Sequence, residues 1–262
     1  MSARTLRLET PVVNPEAQSS PWTNIYRAGA AAALLIVLAG LLDIFIMLIP
    51  VAGTGTGTSP GVRSVVDWFT LLQSQWFLAL RDMGLLNMVT ITCSVVAYFA
   101  LFGMHRRLHP QAAGLALILI CIGAAIYVAN NTALPMLTLS QQYAAATTDA
   151  QKALWSAAGQ ALLGREDLTA GAFPGFFFAE IAGILMAVVI LRGGLFRRWE
   201  AWLGLVGTGF LLFFNIIAAF IPALYDSVML VFGAGGGLLN LVWYALIARR
   251  LLSRPLAAVE EK

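Results

Sequence analysis

The sequence predicts an all-α integral membrane protein, with six transmembrane helices in one bundle, both termini inside and two short amphipathic helices on the outer side. Three observations carry this. Hydrophobic residues make up 60% of the chain and charged residues 11%, with a mean hydropathy of +0.81, too apolar for a water-soluble domain. Six apolar runs are each long enough to cross a bilayer, and 262 residues hold them with short connections. The arginines gather at alternate ends of those runs, as the positive-inside rule requires.

In chain order, Met1 to Asn24 is polar, contains Pro11, Pro15 and Pro21, and reads as a cytoplasmic tail. The transmembrane domain follows over 25–252, and 253–262 forms a second cytoplasmic tail. The first span runs from Ala28 to Ile49 and stops at Pro50. It is longer than a signal-peptide core and has no obvious cleavage site, so it stays in the membrane. The others are expected at Leu78 to Met104, Gln111 to Leu137, Ala172 to Leu191, Trp199 to Ile221 and Ser227 to Ala248.

The charges orient the bundle. Arg4, Arg7, Arg27, His105, Arg106, Arg107, Arg197, Arg198, Arg249 and Arg250 fall on one side; Asp149, Glu166, Asp167 and Asp226 fall on the other. Both termini are therefore expected in the cytoplasm. Trp199 and Trp202 suit the inner interface and Trp68, Trp76 and Trp155 the outer one. The net charge of +3 is a topology signal and gives no footprint for nucleic acid. Cys93 and Cys121 both fall within spans, without metal-site spacing or a disulfide framework, and read as small core residues.

Two outer segments have a helical pattern of their own. Between Arg63 and Trp76, Val65, Phe69, Leu72 and Trp76 make one face, while Arg63, Asp67, Thr70 and Ser74 make the other. Between Thr148 and Leu163, Thr148 with Gln151 resembles a capping box, Leu154, Trp155, Ala158 and Leu162 form a stripe, and Gly164 is a natural stop. Each segment precedes a helical hairpin with paired arginines at its inner turn, FGMHRRLHPQAAGLAL and GGLFRRWEAWLGLVG, which suggests a parallel internal repeat competing with chance similarity.

The candidate site centres on Glu180, about a third of the way into the fourth span. An ionisable side chain at that depth costs several kcal/mol unless it meets a partner or a wet cavity. Ala172, Ala179, Gly183 and Ala187 mark the close-packed stripe beside it, which turns Glu180 into the bundle and the bulky Phe177, Ile181, Leu185 and Val188 mainly toward lipid. By helical rise, Asp43, Asn87, Asn130, Asn131 and Asn215 lie at a similar depth, with Tyr127 one turn from Asn131 and with Arg81 and Asp82 just above. Two readings of this layer compete. One is an outward-facing polar pocket with Glu180 and Asp43 as its anionic groups; the other is a buried hydrogen-bond network that only joins helices, at about 0.6 kcal/mol per contact. Arg81 is a possible partner for either acid.

Other motifs carry less. His105 and His109 are four apart, but Pro110 follows and no carboxylate joins them, so they read as a basic cytoplasmic turn. GTGTGTSPG over 53–61 lacks the context of a phosphate-binding loop and reads as a linker. Gly233 and Gly237 are spaced for close helix packing, and Asn240 with Tyr244 suggests a separate inner polar contact. No metal, cofactor or catalytic constellation is expected: the spans contain no lysine and no histidine cluster. The expected function is binding, extending to transport, of a small amphiphilic or lipid-like molecule. The rivals are a structural subunit with a membrane-protein partner and an intramembrane enzyme using Asp43 and Glu180. Membrane lipids are the expected surroundings.

The runs AEIAGILMAVVILRGGLFRRWEAWLGLVG, NLVWYALIARRLL and LTLSQQYAAATTDAQKALWSAAGQALL resemble a widespread bacterial group of six-helix membrane proteins known only by a domain of unknown function. The resemblance spans Arg27 to Leu252 and implies a bacterial inner-membrane protein with this helix count. It brings no catalytic residues and no ligand.

Overall fold

A computed structural model of the chain describes residues 22–47, 64–166 and 172–253. Its elements are α1 (Trp22–Met47), α2 (Val65–Ser74), α3 (Trp76–Asp82), α4 (Leu85–His105), α5 (Pro110–Asn130), α6 (Ala133–Ala145), α7 (Asp149–Glu166), α8 (Phe173–Gly193), α9 (Arg198–Phe220), α10 (Tyr225–Val228) and α11 (Gly235–Ser253). Six helical segments are long and apolar enough to cross a membrane, so this is an all-helical, multi-pass membrane protein. The expected linker over 53–61 and nearly all of both tails lie outside the described residues. The last three residues assigned to the first tail, Trp22 to Asn24, are already helical.

The six spans form a closed ring in chain order. α1 packs on α4, α4 on α5, α5 on α8, α8 on α9, α9 on α11, and α11 returns to α1; α4 also touches α8 across the middle. Successive spans alternate in direction, so each neighbour in the ring is antiparallel. One end of the ring carries the paired arginines and is called the arginine face; the other is the cap face. Small residues set the close approaches. Gly29 of α1 lies against Ala100 of α4, and Gly40 lies against Leu241 of α11. The interior is filled by Tyr98, Met104, Met186, Ile190, Trp243 and Ile247.

Beyond the cap-face ends stands a cluster of four helices, α2, α3, α6 and α7, with a core of its own. Phe69, Leu72, Leu80, Met83 and Met136 are buried there, and Leu162 and Leu163 of α7 close it. α2 begins in a capping box: the Ser64 side chain accepts from the Asp67 amide at 3.2 Å, and the Asp67 carboxylate accepts from the Ser64 amide at 2.9 Å. α7 has half of the expected box: the Gln151 amide donates to Thr148 Oγ1 at 3.2 Å, while the Gln151 side chain accepts from the Thr147 amide at 3.1 Å. The two expected amphipathic helices are therefore present, and they pack into this cap.

Several expected boundaries are corrected. The second span begins at Leu85, because Gly84, at φ 79°, turns the chain and leaves Trp76–Asp82 as a separate cap helix. The third ends at Asn130: Asn131 is extended, and the chain resumes as α6 inside the cap. Both breaks fall inside the spans expected at Leu78 to Met104 and Gln111 to Leu137. Trp76 is exposed at the start of α3, and Leu154 lies off the packed face of α7, which runs through Gly164 to Glu166. The sixth span is led in by Pro222–Leu224, α10 and a π-helical stretch, Met229–Ala234. The close approach of α11 to α9 is made by Gly236 on Gly207, whereas Gly237 meets nothing within 4 Å.

Candidate functional site

α8 is the most enclosed of the spans, and its small residues explain why. Gly175 takes the backbone of Tyr127 from α5, while Gly183 admits Thr208 of α9, whose Cγ2 lies 2.6 Å from where a Cβ would stand. The stripe turns Glu180 inward, and it is only 6% exposed. Asn215 of α9 donates its side-chain amide to Glu180 Oε1 at 2.5 Å and also to the carbonyl of Leu211 at 3.0 Å. Glu180 Oε2 is buried with no hydrogen-bond partner among the described residues. A buried acceptor left in this way costs about 1–3 kcal/mol; Thr208 Oγ1 and Asn240 Oδ1 are also buried without a partner among the described residues, but Glu180 is the one carboxyl in this position. Toward the cap side of it, Phe173 meets Phe220 edge to face and packs on Phe177 at a tilt.

The structure resolves the predicted layer into separate groups. Glu180 and Asn215 form one. Asp43, Arg81 and Asp82 form another at the junction of α1 and the cap: Arg81 Nε donates to Asp43 Oδ1 at 2.7 Å, Nη1 to Asp82 Oδ1 at 2.7 Å, and Nη2 to the Asp43 carbonyl at 3.1 Å. Burial opposes the charge on Arg81, but the two carboxylates outweigh it and hold its pKa above the ordinary guanidinium value. Tyr127 and Asn131 form a third group at the helix breaks. Asn131 Nδ2 donates to the Met83 carbonyl at 2.9 Å and its Oδ1 accepts from the Ala133 amide at 3.2 Å; the Tyr127 hydroxyl donates to the Gly84 carbonyl at 3.4 Å. Asn130 donates to the carbonyl one turn back, Ile126, at 2.9 Å, and Asn87 is exposed.

Sequence reasoning missed three features. Glu200 is 3% exposed and forms a two-pronged pair with Arg250: Nε donates to Oε2 and Nη2 to Oε1, both at 3.2 Å, while the Arg197 amide adds a bond at 2.8 Å. Its signal was an acid three residues after Arg197 at a helix start, masked by surrounding arginines and tryptophans. Ser94 donates to the Thr90 carbonyl at 2.9 Å and so accepts from the Tyr244 hydroxyl at 3.0 Å, with Tyr98 bonded in turn to Tyr244. Tyr244, expected in an inner polar contact with Asn240, is instead joined to α4, and Asn240 Oδ1 is buried without a partner among the described residues. His105, expected in a solvated turn, is fully buried: its ring stacks on Phe196 with centroids 6.1 Å apart, and Nδ1 donates to the Leu101 carbonyl at 2.9 Å.

Among the described residues, no three His, Cys, Asp or Glu side chains gather as a metal site would require. Residues 38–248 match the family model described as a domain of unknown function, DUF4386. No curated protein and no solved structure matches the chain.

Proposed function

We propose that the chain, which belongs to this family of unknown function, binds a small amphiphilic molecule at Glu180, admitted from the cap face and, in the fullest form of the reading, carried across the membrane. The observation that supports it is the Glu180 carboxyl, fixed on one side by Asn215 and unpartnered on the other. A hydroxyl or amine on the ligand supplies the missing donor, and the rings of Phe173, Phe177 and Phe220 suit its apolar part. Asp43 is held by Arg81 and Glu180 by Asn215, which weighs against the two acting as the paired acid that an intramembrane enzyme would use.

The specific rival is a helix clamp, favoured by the double use of the Asn215 amide, on Leu211 and on Glu180. Native mass spectrometry of protein from its own membranes distinguishes the two. A small molecule carried by the wild type and lost in Glu180→Gln supports binding; two bare proteins, or the same adduct on both, would sink it. The fold itself should tolerate the change. Because Arg81 pairs with Asp43 and not with Glu180, the thermal destabilisations of Glu180→Gln and Arg81→Met should add to within about 0.5 kcal/mol in the double mutant.

For location, the reading is a bacterial inner membrane with the cap in the periplasm and both termini in the cytoplasm, supported by the arginines at the opposite end of the ring. With Cys93 and Cys121 replaced by serine, an impermeant thiol reagent applied to cells should label Thr147→Cys and spare Arg107→Cys. The reverse pattern would invert the orientation.

A further inference from the structure

Among the described residues, the cap meets the ring chiefly where α3 packs on α4. Its four helices share a core, and Gln73 Nε2 ties α2 to the Ser140 carbonyl of α6 at 3.1 Å, so they are built to move as one body. Two of the chain crossings between it and the spans lie within the described residues, α3 to α4 and α5 to α6, and both are helix breaks, at Met83–Gly84 and at Asn131–Thr132. The breaks lie side by side, because Asn131 bonds to the Met83 carbonyl and Tyr127 to that of Gly84. Next to them, Arg81 of the cap grips both the carboxylate and the carbonyl of Asp43 near the cap-face end of α1. Asp43 is nearly half exposed, so this grip is within reach of solvent.

Tyr127 touches both this junction and the helix that carries Glu180. Its hydroxyl reaches the Gly84 carbonyl, its backbone lies against Gly175, and its ring packs on Phe176 with centroids 4.8 Å apart. Ala179, the residue before Glu180, packs into the same apolar cluster. We propose that the cap is a lid over the Glu180 site: hinged at Gly84 and Asn131, latched by Arg81 on Asp43, and coupled to α8 through Tyr127 as a positioning residue. The inference rests on the reading that Glu180 is the ligand site, whose access the lid then regulates. Hinges of this kind absorb a rotation in a few backbone torsions, and Gly84 occupies the left-handed region, which glycine enters and leaves without the steric penalty of a side chain.

The test uses the full chain in nanodiscs, with Cys93 and Cys121 replaced by serine and spin labels at Gln142→Cys in the cap and Ile221→Cys at the cap-face end of α9. Pulsed electron resonance should give one main distance, and Arg81→Met should add a second, longer population. Hydrogen exchange of the amides over 176–183 should rise roughly fivefold in Arg81→Met, about the factor that such an ion pair is worth. That rise should be absent when Tyr127→Ala is added. An unchanged distance distribution in Arg81→Met overturns the lid. A lengthened distance without faster exchange, or with a rise that persists in the Tyr127→Ala background, overturns the coupling. Asp43→Asn serves as the second latch variant if Arg81→Met does not fold. Neither readout uses a ligand, so these outcomes are separate from the presence or absence of an adduct at Glu180.

Discussion

Arg250→Met should destabilise the protein by about 3–5 kcal/mol, measured as a loss of unfolding free energy in detergent or bicelles. Glu200 is buried at the start of α9, and Arg250 from the last turns of α11 supplies bonds to both of its oxygens. Removing the guanidinium leaves the carboxylate with the Arg197 amide alone, which does not offset the cost of burying a charge. Replacing the pair together, as Glu200→Gln with Arg250→Met, should recover most of the loss, because the penalty belongs to the stranded charge. A single mutant that loses less than about 1 kcal/mol would show instead a hydrated pair of the exposed type.

Gly123→Leu is the second large effect, expected at about 3 kcal/mol or more, with Gly123→Ala costing about 1–3 kcal/mol. The Cβ position of Gly123 lies 2.6 Å from the Gly175 carbonyl oxygen and 2.9 Å from the Ala179 amide nitrogen. Both are backbone atoms of α8, so no rotamer change relieves the clash and α5 must move away. That displacement reaches Tyr127 and Phe176 on the same interface, so any ligand retained by the wild type should be lost as well. Gly209→Ala and Gly237→Ala are the controls. Neither position has a neighbour within 4 Å, and alanine favours helix, so both should be neutral or slightly stabilising. Equal losses at all three positions would indicate a general intolerance of side chains and no specific packing of α5 on α8.

The chain declares its spans and the centre of its candidate site plainly, for physical reasons. Hydrocarbon imposes length and apolarity on each helix, and the small-residue stripe around Gly183 fixes which way Glu180 turns. What stays illegible is where a helix stops within apolar sequence. Leu80, Met83, Leu85 and Met88 read as one span although Gly84 divides them, because a glycine inside an apolar run is equally compatible with close packing. Asn131 stood at the right depth for a pocket, yet its side chain serves the backbone of the other break. Glu200 and His105 sit among arginines, where the local pattern gives Glu200 no role and places His105 in a basic turn. Which residues at a basic end turn inward depends on the tertiary partners, Arg250 and Phe196, that no local pattern reveals.

The ring has a bearing on how the protein is made. α1 leaves the ribosome first, and its small-residue face rests on α4 through Gly29 and on α11 through Gly40 against Leu241. Insertion of the second span completes only half of that face. The other half stays open until α11 is synthesised, so the ring cannot close during translation of the five spans before it. Truncations that remove α11 should therefore insert and still be degraded, and the quality-control signal should be the uncovered flank of α1. Supplying residues 222–262 as a separate polypeptide should rescue them, because the missing helix fills the gap between α9 and α1 from the side.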